Sequence, residues 1–325
     1  MPRPLEQAAV VVTGASSGIG RAAALRFARR GASLALCARA DEPLQATVRE
    51  CRAAGAPAAF GVSLDVAEEA AVESFAREVV ERHGRIDVWV NNAGVIAYGR
   101  FVDIPAEVFR GVIETNLMGQ VHGARAALPR FLEQGSGVLI NVSSVWGRVA
   151  SPEVSPYIAS KNAVRAFSEC IRAELPEGAD VHVVSLAPQA VDTPIFDHGA
   201  NYTGHRLRPV PPVLSPDRVA AGIEACAERP RRQVSYGAAG QLLEVLSTLV
   251  PPLYRRLSYP AFVSGTLAPA AAADSSGNVL ASGEPHTIEG FWRRRRRAAL
   301  RHAFLAAAGA AAVGLFAGSR PGGDG

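Results

Sequence analysis

Residues 8–12, Ala-Ala-Val-Val-Val, lead directly into Thr13-Gly14-Ala15-Ser16-Ser17-Gly18-Ile19-Gly20. Residues 21–30 follow with helical spacing, Ile19, Ala23, Phe27 and Ala28 falling on one face, and Gly31 stops the run. A short, wholly apolar strand is buried on both faces, so it calls for a parallel sheet with helices above and below. The glycines allow backbone to approach a pyrophosphate, and the helix start offers free N–H groups with partial positive charge. Strand, glycine turn and helix in this order predict a dinucleotide site.

The alternation continues. Strands are expected near residues 8–12, 33–37, 58–62, 86–90, 138–142, 181–186 and 233–236. Helices are expected near 20–30, 43–54, 68–83, 106–131 with a break near Glu114, 156–175 and 216–228. This predicts an α/β fold: a Rossmann-type, doubly wound parallel sheet of about seven strands with helices on both faces. Ligands then sit beyond the carboxyl ends of the strands, where the strand order reverses.

Of the 34 basic side chains, one is lysine and the rest are arginine. That lysine is Lys161, four residues after Tyr157, so the two share a helix face. Guanidinium is broad and does not give up its proton, whereas ammonium is compact. An ammonium beside a phenol favours phenolate, which predicts a Tyr157 pKa lowered toward working pH.

With Gly-x-x-x-Gly-x-Gly spacing in the first turn, the chain resembles the short-chain dehydrogenase/reductase family, in its common single-domain branch. The matches run in the family's order: Asn91-Asn92-Ala93-Gly94 after an apolar strand, Asn116, Ser144 at a strand end, Tyr157 and Lys161, then residues 188–193. They cover about residues 8–239. The resemblance implies that Tyr157 exchanges a proton with a carbonyl or alcohol oxygen and that Ser144 bonds the same oxygen. It further implies that Lys161 holds the nicotinamide ribose and that Asn116 anchors a relay water. Gly14, Gly18, Ile19 and Gly20 would lie along the pyrophosphate, Ser16 and Ser17 would add hydroxyl donors for the 2′-phosphate of NADP, and Asp65 and Val66 would meet the adenine. Asn92, Ala93, Gly94, Pro188 and Thr193 would complete the cofactor site. The family usually has Pro-Gly where this chain has Pro188-Gln189, which adds bulk and an amide near the substrate.

At the end of the second strand, Ala38 stands where an acid would bind the ribose 2′-OH of NAD, and Arg39 follows. A guanidinium suits the 2′-phosphate of NADP, so NADP(H) is expected over NAD(H). Tyr98, Trp146 and Gln189 are expected in the substrate pocket, along with Ile96, Val145, Val154 and residues 195–214. Most are apolar, and Arg206 and Arg208 are the exceptions. The expected function is NADP-dependent interconversion of a carbonyl and an alcohol on a largely apolar small molecule. Two alternatives stand: a ketoreductase of carrier-bound acyl chains, and a catalytically silent nucleotide-binding scaffold at a membrane. The presence of both Tyr157 and Lys161 argues against the scaffold.

Composition is consistent with this. The chain has 325 residues, 48% hydrophobic and 20% charged, enough for one α/β domain of roughly 200–250 residues and a tail. Cys37, Cys51, Cys170 and Cys226 form no CxxC pair, and neither a disulfide frame nor a metal site is expected. A net charge of +4 includes five arginines in one run, residues 293–297, so no nucleic-acid partner is expected. The resemblance implies a homo-oligomer, a dimer or tetramer.

Three parts are expected: a catalytic domain over 1–260, a linker-like irregular extension over 261–292, and a basic-apolar tail over 293–325. Residues 266–285 are rich in Ala, Gly, Ser and Pro. Residues 303–318 carry no charge and include Gly314-x-x-x-Gly318. They fall just short of the roughly 17–25 residues that span a bilayer, and with the arginines beside them form a candidate membrane segment. The expected location is cytoplasmic, with this tail a candidate anchor to the cytoplasmic face of a membrane.

Overall fold

A computed structural model describes residues 3–236, 238–283 and 286–292, the side chains of 238–243 excepted. The candidate membrane segment lies outside the described residues. In the described part, no helix is long and apolar enough to cross a membrane. The chain divides into compact units Met1–Gly290 and Phe291–Gly325, of which the first carries the fold.

In chain order its elements are β1 (Ala9–Thr13), α1 (Gly18–Arg29), β2 (Ser33–Ala38), α2 (Asp41–Ala53), β3 (Ala59–Ser63), α3 (Glu69–His83) and β4 (Val88–Asn91). Next come β5 (Ala97–Tyr98), α4 (Ala106–Ile113), α5 (Gly119–Gln134), β6 (Ser136–Val142), α6 (Ser155–Ala173) and β7 (Asp180–Pro188). The remainder is α7 (Ile195–His198), β8 (Ala200–Asn201), β9 (His205–Leu207), α8 (Pro216–Glu228), β10 (Gln233–Tyr236), α9 (Ala238–Leu249), α10 (Pro251–Thr266) and β11 (Leu267–Ala271).

The seven expected strands form one sheet in the order β10-β7-β6-β4-β1-β2-β3, each pair parallel. The order reverses between β1 and β4, which fixes the ligand crevice at their carboxyl ends. The two-residue period of the strands sorts the core. Val10, Val12, Leu34, Leu36, Val90 and Ile140 pack on one face, while Val11, Ala35, Trp89, Leu139 and Val183 pack on the other. Local signals set the helix limits. Pro216 follows the Ser215 cap of α8, whose hydroxyl accepts the Arg218 N–H, and the left-handed Gly84 and Gly135 end α3 and α5.

The expected break near Glu114 is real. Residues 114–118 form a π turn between α4 and α5, a local widening that recurs at functional sites. Residues 266–285, whose composition suggests a linker, are folded against the domain where they are described. Thr266 ends α10, and β11 pairs antiparallel with β9. Val279 is buried with Val95, Ile104, Val108, Val112 and Ala200. Alanine-rich composition misleads here because the contacts are mostly backbone hydrogen bonds, which leave no signature in residue type.

At the centre lies a buried polar network. Asn91 accepts the Trp89 indole N–H at 2.8 Å and donates to the Gln120 carbonyl at 3.0 Å and to Asn141 Oδ1 at 2.9 Å. Asn141 donates to Ser168 at 2.9 Å. Helix α5 passes this network at Gly123, where a Cβ would lie 2.1 Å from Asn91 Oδ1 and 2.7 Å from the indole nitrogen. Gly123→Ala gains up to about 1 kcal/mol of helix propensity. Overpacking costs about 1–3 kcal/mol and a broken buried hydrogen bond about 1–3 more, so the network decides the sign. We expect Gly123→Ala to lower stability by about 2–3 kcal/mol in urea unfolding; an unchanged midpoint would show that the network gives way freely.

Candidate active site

The glycine turn is held by contacts that tolerate no side chain. A Cβ at residue 20 would lie 2.2 Å from the Gly14 carbonyl oxygen, and one at Gly14, whose φ is +66°, would lie 2.8 Å from Ala93 Cα. Thr13 Oγ1 accepts the N–H groups of Asn92 and Ala93, each at 3.0 Å. Asn92 Nδ2 returns to the Thr13 carbonyl at 2.9 Å and reaches the Gly14 carbonyl at 3.3 Å. The end of β1 and the turn after it are thus fastened to the end of β4. Ser17 is the N-cap residue of α1, yet its hydroxyl makes no capping bond.

Tyr157 and Lys161 lie in the first turns of α6, with the ammonium 5.7 Å from the phenol ring centre. Lys161 Nζ donates to the Val142 carbonyl at the end of β6, at 2.8 Å. Ser144, two residues on, accepts the Trp146 N–H at 3.2 Å and also hydrogen-bonds Tyr157. Burial pushes the Tyr157 phenol up to about 12, and the Ser144 hydrogen bond works against it. Its residual exposure is to the cavity that it lines. Burial pulls the Lys161 ammonium down to about 8. The expectation that Lys161 depresses Tyr157 is not met: desolvation dominates and favours both neutral forms.

The Asn116 amide is fully committed. Its Oδ1 accepts the Val95 N–H at 2.8 Å, and its Nδ2 donates to the Val95 carbonyl at 2.9 Å and to Ser160 Oγ at 3.1 Å. It pins the loop after β4 to α6. A Cβ on Gly94 would meet Asn116 Oδ1 at 3.3 Å and Lys161 Nζ at 3.6 Å, so glycine leaves this corner open.

One cavity of about 570 Å³ joins these parts. It runs from Arg39, Asp65 and Val66 past Ser16, Gly18 and Ile19 to Ser144, Tyr157 and Lys161, and on to Trp146, Ile195 and Phe262. Asn92, Ala93, Gly94, Pro188 and Thr193 line its middle. Thr193 faces Gly18, and Asp65 Oδ1 caps its own turn by accepting the Ala67 N–H at 3.0 Å. Several sequence-predicted residues differ from the rest. Gln189 lines the cavity, but its Nε2 donates to the Pro212 carbonyl at 2.7 Å and so ties β7 to the segment before α8. Tyr98 is fully buried behind the wall, its ring 6.4 Å from those of both Trp146 and Phe262. Arg208 donates to the carbonyls of Ser264 and Gly265 and does not line the cavity.

The sequence reading missed the far wall: Tyr254, Ser258 and Phe262 on α10, and Asn278, Ser282 and His286 beyond β11. The only available hint was the turn-rich stretch 274–278 running into the apolar pair Val279-Leu280.

The model of the short chain dehydrogenase family matches residues 8–201, more than half of the chain. The chain is a short-chain dehydrogenase/reductase. It is 35% identical over 258 residues to the uncharacterized oxidoreductase YxnA of Bacillus subtilis, covering 78% of this chain and 72% of that one. It is 34% identical to dehydrogenase/reductase SDR family member 7B of Bos taurus, covering 78% and 81%. Two solved structures share the fold. A family member from Burkholderia phymatum in complex with NAD superposes with a TM-score of 0.69 at 30% identity, over 77% of this chain and 96% of that one. An alcohol dehydrogenase from Thermococcus sibiricus complexed with 5-hydroxy-NADP gives 0.62 at 32%, over 70% and 94%. In this short-chain dehydrogenase the side-chain-free turn at Gly14 and Gly20, continuous with the Tyr157–Lys161 corner, fits a nicotinamide dinucleotide.

Proposed function

We propose that this enzyme interconverts a carbonyl and an alcohol on a largely apolar small molecule, using NADP(H). The observation that carries the reading is the single cavity in which Ser144, Tyr157 and Lys161 lie between a dinucleotide cradle and an apolar end. Bound NADP(H) would supply or accept the hydride. Tyr157 donates the proton to the carbonyl oxygen in reduction and recovers it in oxidation. Ser144 bonds the same oxygen and steadies the charge that develops there. Lys161 holds the ribose hydroxyls, and Asn116 acts on Lys161 indirectly, by fixing the backbone around Val95. At the apolar end, Trp146, Ile195, Phe196 and Phe262 form the wall, and Arg39, Asp65 and Lys161 are the only Arg, Lys, Asp or Glu side chains on the cavity among the described residues. A neutral, apolar substrate suits such a surface, because an anion there would lack a partner. Tyr157→Phe should abolish NADPH oxidation against a panel of apolar ketones and aldehydes while calorimetric NADPH affinity stays within a few-fold of the parent. Turnover near that of the parent would sink the mechanism.

The pKa directions give a pH dependence. A phenol near 12 keeps its proton through the working range and can donate in reduction. An ammonium near 8 loses its charge above that pH, well below lysine's ordinary 10.5. With the carbonyl saturating, kcat/KM for NADPH reports ionisations of the free enzyme. It should be flat below about pH 8 and fall above it as Lys161 deprotonates. A profile that stays flat to lysine's ordinary 10.5 would show that the charge on Lys161 is not needed for capture.

Arg39 supports NADP(H) over NAD(H). It lies at the adenine end of the cavity, 3.7 Å from Asp65, with no acid at Ala38. The structural neighbours include one complex with NAD and one with an NADP derivative, so the choice rests on this chain's own residues. Arg39→Glu should weaken NADPH binding about tenfold or more, through loss of a charge-assisted phosphate contact, and shift preference to NADH. A parent enzyme that uses both dinucleotides equally would reduce Arg39 to a surface residue.

A further inference from the structure

Beyond β11 the chain turns back across the mouth of the cofactor cleft and is hydrogen-bonded to both rims. On the substrate side, Ser275 and Asn201 exchange two backbone hydrogen bonds, at 2.8 and 3.0 Å, and the Asn278 N–H donates to the His198 carbonyl at 2.8 Å. Val279 plugs the apolar cluster around Ile104, Val108 and Ala200. On the dinucleotide side, Arg39 donates to the carbonyls of Asn278, Val279 (3.3 Å) and Ala281 (3.5 Å). The Gly18 N–H donates to the Thr287 carbonyl at 2.9 Å, and Arg21 Nη1 to the His286 carbonyl at 2.8 Å. The Gly290 N–H closes the path on the Asp192 carbonyl at 2.9 Å.

Two of these contacts bear on the cofactor. Gly18 opens α1, and first-turn N–H groups are the donors that a helix start offers to a pyrophosphate. Here a carbonyl of the returning segment takes one of them. Arginine has five N–H donors in a fixed fork. The three carbonyls take both Nη2 donors and one on Nη1, which also lies 3.7 Å from Asp65, and leave Nε–H and one Nη1–H for a phosphate.

We infer that residues 275–283 and 286–290 are a strap forming the outer wall of the dinucleotide cleft: its carbonyls orient Arg39 toward the 2′-phosphate, and it lifts off Gly18 for cofactor to enter or leave. The orienting part rests on the reading of Arg39 as the NADP determinant, whereas the gating part does not. The strap lies outside the matched family segment, which ends at residue 201.

The test uses the full chain. Val279→Asn places an amide in the apolar cluster that anchors the strap. Gly277→Val attacks the same anchor from the backbone, since φ is +51° and a Cβ there would lie 2.1 Å from the His198 carbonyl oxygen. Stopped-flow fluorescence should show NADPH leaving each variant about tenfold faster than the parent, the scale expected when hydrogen bonds to a charged group are lost. The ratio of NADH to NADPH dissociation constants should fall at least about threefold, because Arg39 loses its anchors but keeps its charge. In the unmodified chain, peptides of the strap should gain protection from hydrogen exchange when NADPH is added. Release at the parent rate from a folded variant, or strap exchange indifferent to NADPH, overturns the gate. If neither variant folds, exchange in the parent chain decides. A parent that binds NADH as tightly as NADPH retires the Arg39 reading and the orienting role with it, and release rates alone then judge the gate.

Discussion

The architecture of this enzyme hangs on a hydrogen bond between two buried amides, Asn91 at the end of β4 and Asn141 in β6, 2.9 Å apart. Each amide reaches one further element: Asn91 holds the Gln120 carbonyl on α5, and Asn141 holds Ser168 on α6. These four elements carry the residues proposed for the chemistry. Strand β4 leads into Asn92, Ala93 and Gly94, β6 into Ser144, the π turn before α5 carries Asn116, and α6 carries Tyr157 and Lys161. A buried amide left unpaired costs about 1–3 kcal/mol, so a slip of any one element is penalised at several bonds together. Apolar packing alone would allow small shifts of helix against sheet. The polar network removes that freedom at the end of the sheet where tenths of an ångström matter.

The same burial sets the resting state of the site. Tyr157 and Lys161 sit together in a place where neither charge is well solvated, so the phenol is pushed up and the ammonium down. The Val142 carbonyl is a neutral partner for Lys161 and offsets only part of the cost of burying its charge. A ligand bearing hydroxyls at this corner would relieve a cost already present in the protein, and binding would thereby be coupled to the protonation of the pair.

The sheet was legible in the sequence because most of its strands are short and largely apolar, β10 at the edge being the exception, and the first glycine turn admits one local geometry. The break near Glu114 was legible as well, as a fault in an otherwise long helical pattern. The side chains around the reacting corner were legible in kind and order, but not in what each one touches. The resemblance gives Asn116 a relay water to anchor, yet both ends of its amide close on Val95 and Ser160. Tyr98 reads as a pocket residue, but alternation along a two-residue strand cannot say which side faces the cavity, and it packs behind the wall. The wall beyond residue 257 was invisible for another reason. Its contacts with Gly18, Arg21 and Arg39 are made by backbone carbonyls, which any residue supplies.

This division follows the chain. The residues proposed for proton transfer, and most of the dinucleotide cradle, lie within residues 8–201, where the family match lies. Much of what encloses the cavity comes later: Pro211 and Pro212, the inner face of α10 with Tyr254 and Phe262, and the strap. The first set works through hydrogen bonds fixed within a packed sheet, where a displaced atom is expensive. The second closes the cavity with helices and returning chain at the periphery, where a change of length or residue costs little. An enzyme built in this order can keep one reacting corner and vary what reaches it. The substrate of this chain is therefore better sought in the shape of its last third than in the motifs that identify its family.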